Sequence, residues 1–288
     1  MAQRGSSWWR VGHGREIELG PRAIIMAIVN VTPDSFSDGG SYGSVDAAVA
    51  HALRAVDDGA SIIDIGGEST KPGADAVSPE EEQARVLPVI EALRDKSQVL
   101  ISIDTYRAET ARVALSAGAH IINDVFGLQK EPEIADIAAA TRAGLCVMHT
   151  GRDRDKVDDV IADQFLFLER SLEIAAFAGV ERDRIVLDPG FGFAKDTTEN
   201  VELMARFTEL ERLGLPLLAG TSRKRFIGAL TGREAPQRDA GTAATSVLLR
   251  LQGAAIFRVH DVAINRDALA VADAMLEARD AFDRKGTA

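Results

Sequence analysis

The chain has 288 residues, 46% of them hydrophobic and only 5% aromatic, with a net charge of −11. That length suits one large α/β domain, and the acidic balance disfavours nucleic acid or an anionic membrane as a partner. The single cysteine, Cys146, lies in the apolar run Leu145–Met148, so no disulfide framework is expected and the thiol reads as a small buried hydrophobe. Residues 1–20 form a leader with Trp8, Trp9 and several charges but no continuous apolar stretch. It is neither a secretory signal nor a membrane span, and the protein is expected to be cytoplasmic.

From residue 21 to 288 one unit recurs: a short apolar run, a polar or glycine-rich cluster, then a helical stretch. In chain order the runs are Ala23–Val29, Ser61–Ile65, Val99–Ile103, His120–Ile122, Leu145–Met148, Ile185–Leu187, Leu215–Ala219 and Ala255–Val259. The helical stretches include Ser44–Asp58, one opening with Ser78-Pro79-Glu80-Glu81, Asp158–Ala178, Thr197–Leu213 and Asn265–Phe282. Strands alternating with helices predict a parallel sheet covered by helices. An open doubly wound sheet binds ligands at one switch point, whereas here nearly every run ends in polar residues. The pattern predicts an α/β fold, a single (β/α)8 TIM barrel after a short leader, with the chemistry around one mouth.

Asp104, Asn123 and Asp188 each follow an apolar run, so three short polar side chains converge on the mouth as candidates for a heterocycle rich in N–H donors. Capping the next helix is the competing role for each. Asp188-Pro189-Gly190-Phe191-Gly192-Phe193 dictates a tight turn, with Phe193 a candidate wall for a flat ligand and Phe191 a possible plug. Gly220-Thr221-Ser222-Arg223-Lys224-Arg225 sets cations at a helix start, which an anionic ligand would justify; Lys224 is the preferred ligand contact. Arg258 and His260 face the same side of the last strand, and Arg258 needs either an anion or an internal carboxylate such as Asp64. Two long loops, Thr32–Gly43 and Gly66–Ala76, suit lids. Asn30 is a candidate oxygen ligand for a hard divalent cation. His13, His51 and His120 lack metal-ligand spacing, and His149 has no assigned role.

With these motifs in view the chain resembles the dihydropteroate synthase family from about Ala23 to Ala281. The matching stretches are Met26–Gly40, Asp64–Ala74, Ser102–Thr105, Ile122–Val125, Asp188–Phe193, Ser222–Lys224 and Arg258–His260. The resemblance implies a transferase of folate biosynthesis, a sulfonamide target. It would condense 6-hydroxymethyl-7,8-dihydropterin diphosphate with 4-aminobenzoate to give 7,8-dihydropteroate and diphosphate, with Mg2+ and as a homodimer. By motif, Asp104, Asn123, Val125, Met148, Asp188, Phe193, Gly220 and Lys224 would form the pterin site. Thr70, Pro72, Ser222 and Lys224 would border the aminobenzoate, while Asn30, Thr70, Arg258 and His260 would take the diphosphate and Asn30 the metal. Lys224, Asp104, Asp188 and Asp34 would be catalytic. Carboxylates would stabilise the cationic methylene formed as the C–O bond breaks, and cations the leaving group. Lys71 stands where the family usually has Arg, which keeps the charge without the planar fork, and the segment from His149 to Arg154 is shorter and more charged than the usual form. A non-catalytic pterin-binding relative and a pterin-binding methyltransferase barrel are the alternatives, the second having no use for the diphosphate set.

Overall fold

The computed structural model describes residues 7–32, 41–69 and 77–286. Asp34, Thr70, Lys71 and Pro72, with most of both loops, lie outside the described residues. Two short strands, β1 (Ser7–Arg10) and β2 (Glu16–Leu19), pair as an antiparallel hairpin. Then follow β3 (Ile24–Asn30), β4 (Ile62–Gly66), β5 (Leu100–Asp104), β6 (Ile121–Asp124), β7 (Gly144–Met148), β8 (Ile185–Asp188), β9 (Leu218–Ala219) and β10 (Ile256–Val259). These eight form one sheet in the order β8-β7-β6-β5-β4-β3-β10-β9, parallel throughout. A parallel bridge between Leu187 and Leu217 joins the two edges, so the sheet closes into the expected barrel.

Around it lie α1 (Ser41–Asp57), α2 (Pro79–Lys96), α3 (Ala108–Ala117), α4 (Glu133–Thr141), α5 (Val160–Phe177), α6 (Thr197–Ala205), α7 (Arg225–Thr231), α8 (Asp239–Leu251) and α9 (Val262–Gly286). None of the described helices is long and apolar enough to cross a membrane.

The expected boundaries shift for identifiable reasons. Strands β3, β4, β5, β6 and β8 run on into the cluster that follows them, as where Asp104 still pairs with Gly66 and Asn123 in the ladder. The run Leu215–Ala219 shrinks to two residues because Pro216 has no N–H for the ladder. Ser78 caps α2 as expected, its hydroxyl accepting from the Glu81 amide at 3.1 Å. Asp159 caps α5, one residue after the expected start. Asp261 accepts from the Ile264 amide at 2.9 Å and so starts α9 before Asn265. The expected Thr197–Leu213 helix breaks at Arg206, whose backbone leaves the helical region, and resumes as a 3-10 turn ending at left-handed Gly214. α1 starts three residues before Ser44, since a glycine in a first turn weakens a helix by only about 1 kcal/mol.

Period-two alternation sorts the barrel interior into layers. Met26, Ile62, Leu100, Ile121, Cys146, Val186, Leu218 and Ile256, one from each barrel strand, pack as an apolar floor. The hairpin seals this floor from below with Trp9, Val11 and Leu19. Trp9 is 1% exposed and its indole N–H donates to the Arg184 carbonyl at 2.8 Å, whereas Trp8 is 51% exposed. Cys146 is the small buried hydrophobe anticipated. Outside the sheet, Phe191 stacks near Phe207 and Phe226 in the main core, so it is a plug rather than a ligand wall. Trp9→Ala should lower unfolding free energy by about 3–5 kcal/mol, read as a shift in the urea midpoint, because it opens a cavity under the floor and orphans the Arg184 carbonyl.

Candidate active site

Two residues above the floor the same alternation points Asp64, Ser102, Asn123, Met148, Asp188 and Arg258 inward, with Gly220 among them. Arg258 is central: its Nε donates to Asp64 Oδ2 and its Nη2 to Asp104 Oδ2, each at 2.6 Å. Of the two partners left open for Arg258, the internal carboxylate is therefore engaged, and Asp104 is engaged with it. These bonds use two of the five guanidinium N–H donors. Asn123 Nδ2 donates to the same Asp64 oxygen at 3.0 Å, so Asn123 is held as a donor and is more than the acceptor the sequence suggested. Burial raises the Asp104 carboxyl to about 7; Arg258 opposes the shift and Asp64 adds to it. Arg258 is held protonated because the two carboxylates outweigh its own desolvation.

The Asp188 loop is fixed by its backbone. Asp188 Oδ1 accepts from the Gly190 amide at 2.7 Å. Gly190 has φ +65°, and a Cβ there would lie 1.9 Å from the His149 carbonyl oxygen, so only glycine fits. The turn then places Phe193 against Val125 and Met148, an apolar cluster extended by Tyr106 and Phe126. The three residues expected to line the pterin pocket are thus together. A Cβ on Gly220 would sit 3.4 Å from Asp188 Oδ2, so the bare backbone of Gly220 leaves that oxygen room. Burial raises the Asp188 carboxyl, against the Gly190 hydrogen bond and the positive charge of Lys224.

Lys224 caps α7, and its ammonium stands 4.2 Å from the centre of the Phe193 ring. Burial and then Arg258 push its pKa down to about 8, with Asp188 pulling the other way. Its neighbour Arg223 pairs with Asp239 at 2.7 and 2.8 Å, and Arg225 is exposed, as befits a solvated basic turn. Ser222 Oγ accepts from the His260 amide at 3.1 Å and lies 2.9 Å from His260 Nδ1. Burial, then Arg223 and Arg258, push His260 down to about 3, so its ring is neutral. With the hydroxyl, which already accepts from the His260 amide, donating to Nδ1, the ring proton is on Nε2. His260 is a neutral donor in the free enzyme, not one of the cations.

Several residues of this end were not anticipated. Arg152 Cζ lies 4.6 Å from the Phe193 ring centre. Tyr106 and Phe126 pack edge to face at 5.1 Å, with the Lys130 ammonium 3.9 Å from the tyrosine ring centre. Arg107 joins Glu82 at 2.9 Å, Glu68 at 2.7 Å and the Val77 carbonyl at 2.8 Å, tying together the residues flanking 70–76. Glu82 was legible: it falls on the buried face of α2 with Val86, Val89 and Leu93, where a carboxylate needs a partner. His149 gains buried partners in Lys195 and Asp163, each at 2.9 Å. Lys195 follows the aromatic turn with no periodicity to mark it.

Among the described residues no group of three or more His, Cys, Asp or Glu side chains could hold a metal. Asn30, partly exposed at the end of β3, offers one hard oxygen beside Gly66 and Asp104. That donor set fits Mg2+ taking the rest of its shell from phosphate and water.

A closed barrel with buried carboxylates, a lysine and an apolar wall for a flat ring at its carboxyl end defines a pterin binding enzyme, and residues 26–260 match the family of that description. The chain is 45% identical over 278 residues to the dihydropteroate synthase of Bacillus subtilis, covering 96% of this chain and 97% of that one. It superposes with a TM-score of 0.89 on Xanthomonas albilineans dihydropteroate synthase with 4-aminobenzoic acid, at 47% identity over 94% and 99% of the two chains. For the same enzyme in complex with 7,8-dihydropteroate the TM-score is 0.82, at 46% identity over 90% and 96%. The chain belongs to the dihydropteroate synthases.

The depressed Lys224 pKa sets a pH window. If the ammonium holds the ligand, affinity for a pterin diphosphate should fall as pH rises through about 8, and Lys224→Met should flatten that limb in a binding titration. Folding of the free enzyme moves oppositely. Between about 8 and the ordinary lysine value of 10.5 the unfolded chain binds more protons, so this group's contribution to stability rises with pH.

Proposed function

We propose that the chain condenses 6-hydroxymethyl-7,8-dihydropterin diphosphate with 4-aminobenzoate, forming the C–N bond of 7,8-dihydropteroate and releasing diphosphate and a proton. The observation that carries this reading is the convergence of Asp104, Asn123, Asp188 and Lys224 beside the Val125, Met148 and Phe193 wall. A pterin ring stacked on Phe193 would present its N–H donors to the carboxylates, whose burial makes an unpaired acceptor expensive. The 4-aminobenzoic acid and 7,8-dihydropteroate of the Xanthomonas structures are the chemistry this arrangement suits.

The protein's part is positioning and charge. Asp104 and Asp188 stabilise positive charge developing on the ring and methylene as the C–O bond lengthens. The uncommitted N–H groups of Arg258 and the Nε2–H of His260 receive the departing oxygens. Ser222 holds His260 in that orientation and borders the space for the arylamine. Phe193, Met148 and Val125 keep water from the carbon under attack. Asn30 would hold Mg2+, which when bound neutralises charge on the diphosphate. A non-catalytic relative would lack reason to keep Lys224 and Arg258 together at the leaving-group side.

Purified protein given both substrates and Mg2+ should release diphosphate and form dihydropteroate, and Lys224→Ala should cut kcat/KM by about 100-fold or more. Binding without product would overturn the reading.

We also propose a cytoplasmic homodimer formed through α9. Ile264, Val271, Met275 and Phe282 are 43%, 71%, 47% and 76% exposed and share one face of that helix, beside exposed Leu248 of α8. The double substitution Val271→Glu and Met275→Glu should halve the mass read by light scattering; an unchanged dimer would place the interface elsewhere.

A further inference from the structure

We propose that Lys195 is a positioning residue for the pterin-binding carboxylate of Asp188, acting through the backbone of Gly190, and that His149 and Asp163 hold Lys195 in place. The proposal rests on the pterin reading of the site. Lys195 is 8% exposed and makes no ion pair among the described residues. Its ammonium donates instead to two uncharged acceptors, the Gly190 carbonyl and His149 Nδ1, each at 2.9 Å. With Nδ1 accepting from the ammonium, a neutral ring carries its proton on Nε2, which lies 2.9 Å from Asp163 Oδ2 and also 2.9 Å from Arg154 Nη2. Burial and Lys195 push His149 down to about 4, which keeps that tautomer neutral. Asp163 is 2% exposed and is held by Arg154, which donates to both of its oxygens, and by the Val157 amide at 3.1 Å.

The chain of contacts ends on Asp188. Gly190 is gripped at both polar ends, its carbonyl by Lys195 and its N–H by Asp188 Oδ1 at 2.7 Å. A Cβ at Gly190 would collide with the His149 carbonyl oxygen, so the turn approaches that backbone as closely as only glycine allows. One carboxylate oxygen of Asp188 is therefore spent on the turn, and Oδ2 is left beside Gly220 at the mouth. The orientation of the ligand-facing oxygen then depends on where the Gly190 amide points. Lys195 also places a positive charge near Asp188 that favours its ionised form. An apolar side chain would occupy this space without the desolvation that pushes Lys195 down to about 7, so its packing alone does not account for an ammonium there.

The test is Lys195→Met, which keeps the length and removes both charge and donor. KM for the pterin diphosphate should rise roughly 10- to 100-fold, while KM for 4-aminobenzoate stays within about twofold and the protein melts no earlier than the wild type. Lys195→Gln, which retains an N–H but no charge, should fall between the two and carries the comparison if the methionine variant does not fold. An unchanged pterin KM in either folded variant overturns the proposal. So does an equal rise for both substrates, which would assign Lys195 to general support of the barrel end. Wild-type protein runs in parallel: if it forms no product, the pterin reading itself fails, a result distinct from selective loss in the variant.

Discussion

Arg258 sets one positive charge between the carboxylates of Asp64 and Asp104, just above a floor that offers no polar partner at all. Taking either carboxylate that deep without a cation would cost several kcal/mol, and removing one member of such a set typically costs about 3–5 kcal/mol. From β10 the guanidinium therefore lets strands β4 and β5 carry acid groups into the barrel. It does so incompletely. Burial, against which Arg258 acts and to which Asp64 adds, leaves Asp104 raised to about 7, and Asp64 Oδ1 and the neighbouring Ser102 hydroxyl lack partners among the described residues.

This incompleteness is what a ligand can use. The layer two residues below is apolar on every strand, so the polar layer has no neighbours on which to discharge its unmet hydrogen bonds except upward, into the mouth. The apolar cluster of Val125, Met148 and Phe193 stands at this end, so in the proposed reading a flat ring would stack against it and hydrogen-bond along one edge. Specificity follows from the same physics: a ring without N–H donors would leave buried acceptors unpaired.

Much of this was legible because a strand's side chains alternate. Once Asp104, Asn123, Asp188 and Arg258 are read as ends of strands in one barrel, period two alone points them inward, and the floor residues follow by stepping back along each strand. Phe193 was reached through the composition of its turn, and Met148 and Val125 through the motif match rather than periodicity. The closing bridge at Leu217 was hidden, since a proline inside the run shortens β9 without changing its hydrophobic pattern. Pairings between residues distant in sequence were hidden for a different reason. Nothing local links Lys195 to His149 or Arg107 to Glu68; only the closed barrel brings neighbouring loops within hydrogen-bond distance. The neutral state of His260 was hidden as well, since it rests on burial first and then on Arg223, which only the fold brings near, together with Arg258 two residues before it.

That neutral histidine says how the leaving-group side is balanced. Arg258 is committed to two carboxylates, and burial and then Arg258 already destabilise Lys224 as a cation; at His260 burial and the repulsion of Arg223 and Arg258 outweigh the opposing pull of Asp239. His260 instead keeps its Nε2 proton as a hydrogen-bond donor, aimed by the Ser222 hydroxyl. An anion arriving there reverses the electrostatics, because negative charge beside the ring favours its protonated form and equally favours the ammonium of Lys224. In the proposed reaction, binding the diphosphate and holding these protons would therefore be linked in sign: each would make the other more favourable, and both would be reversed when the product leaves.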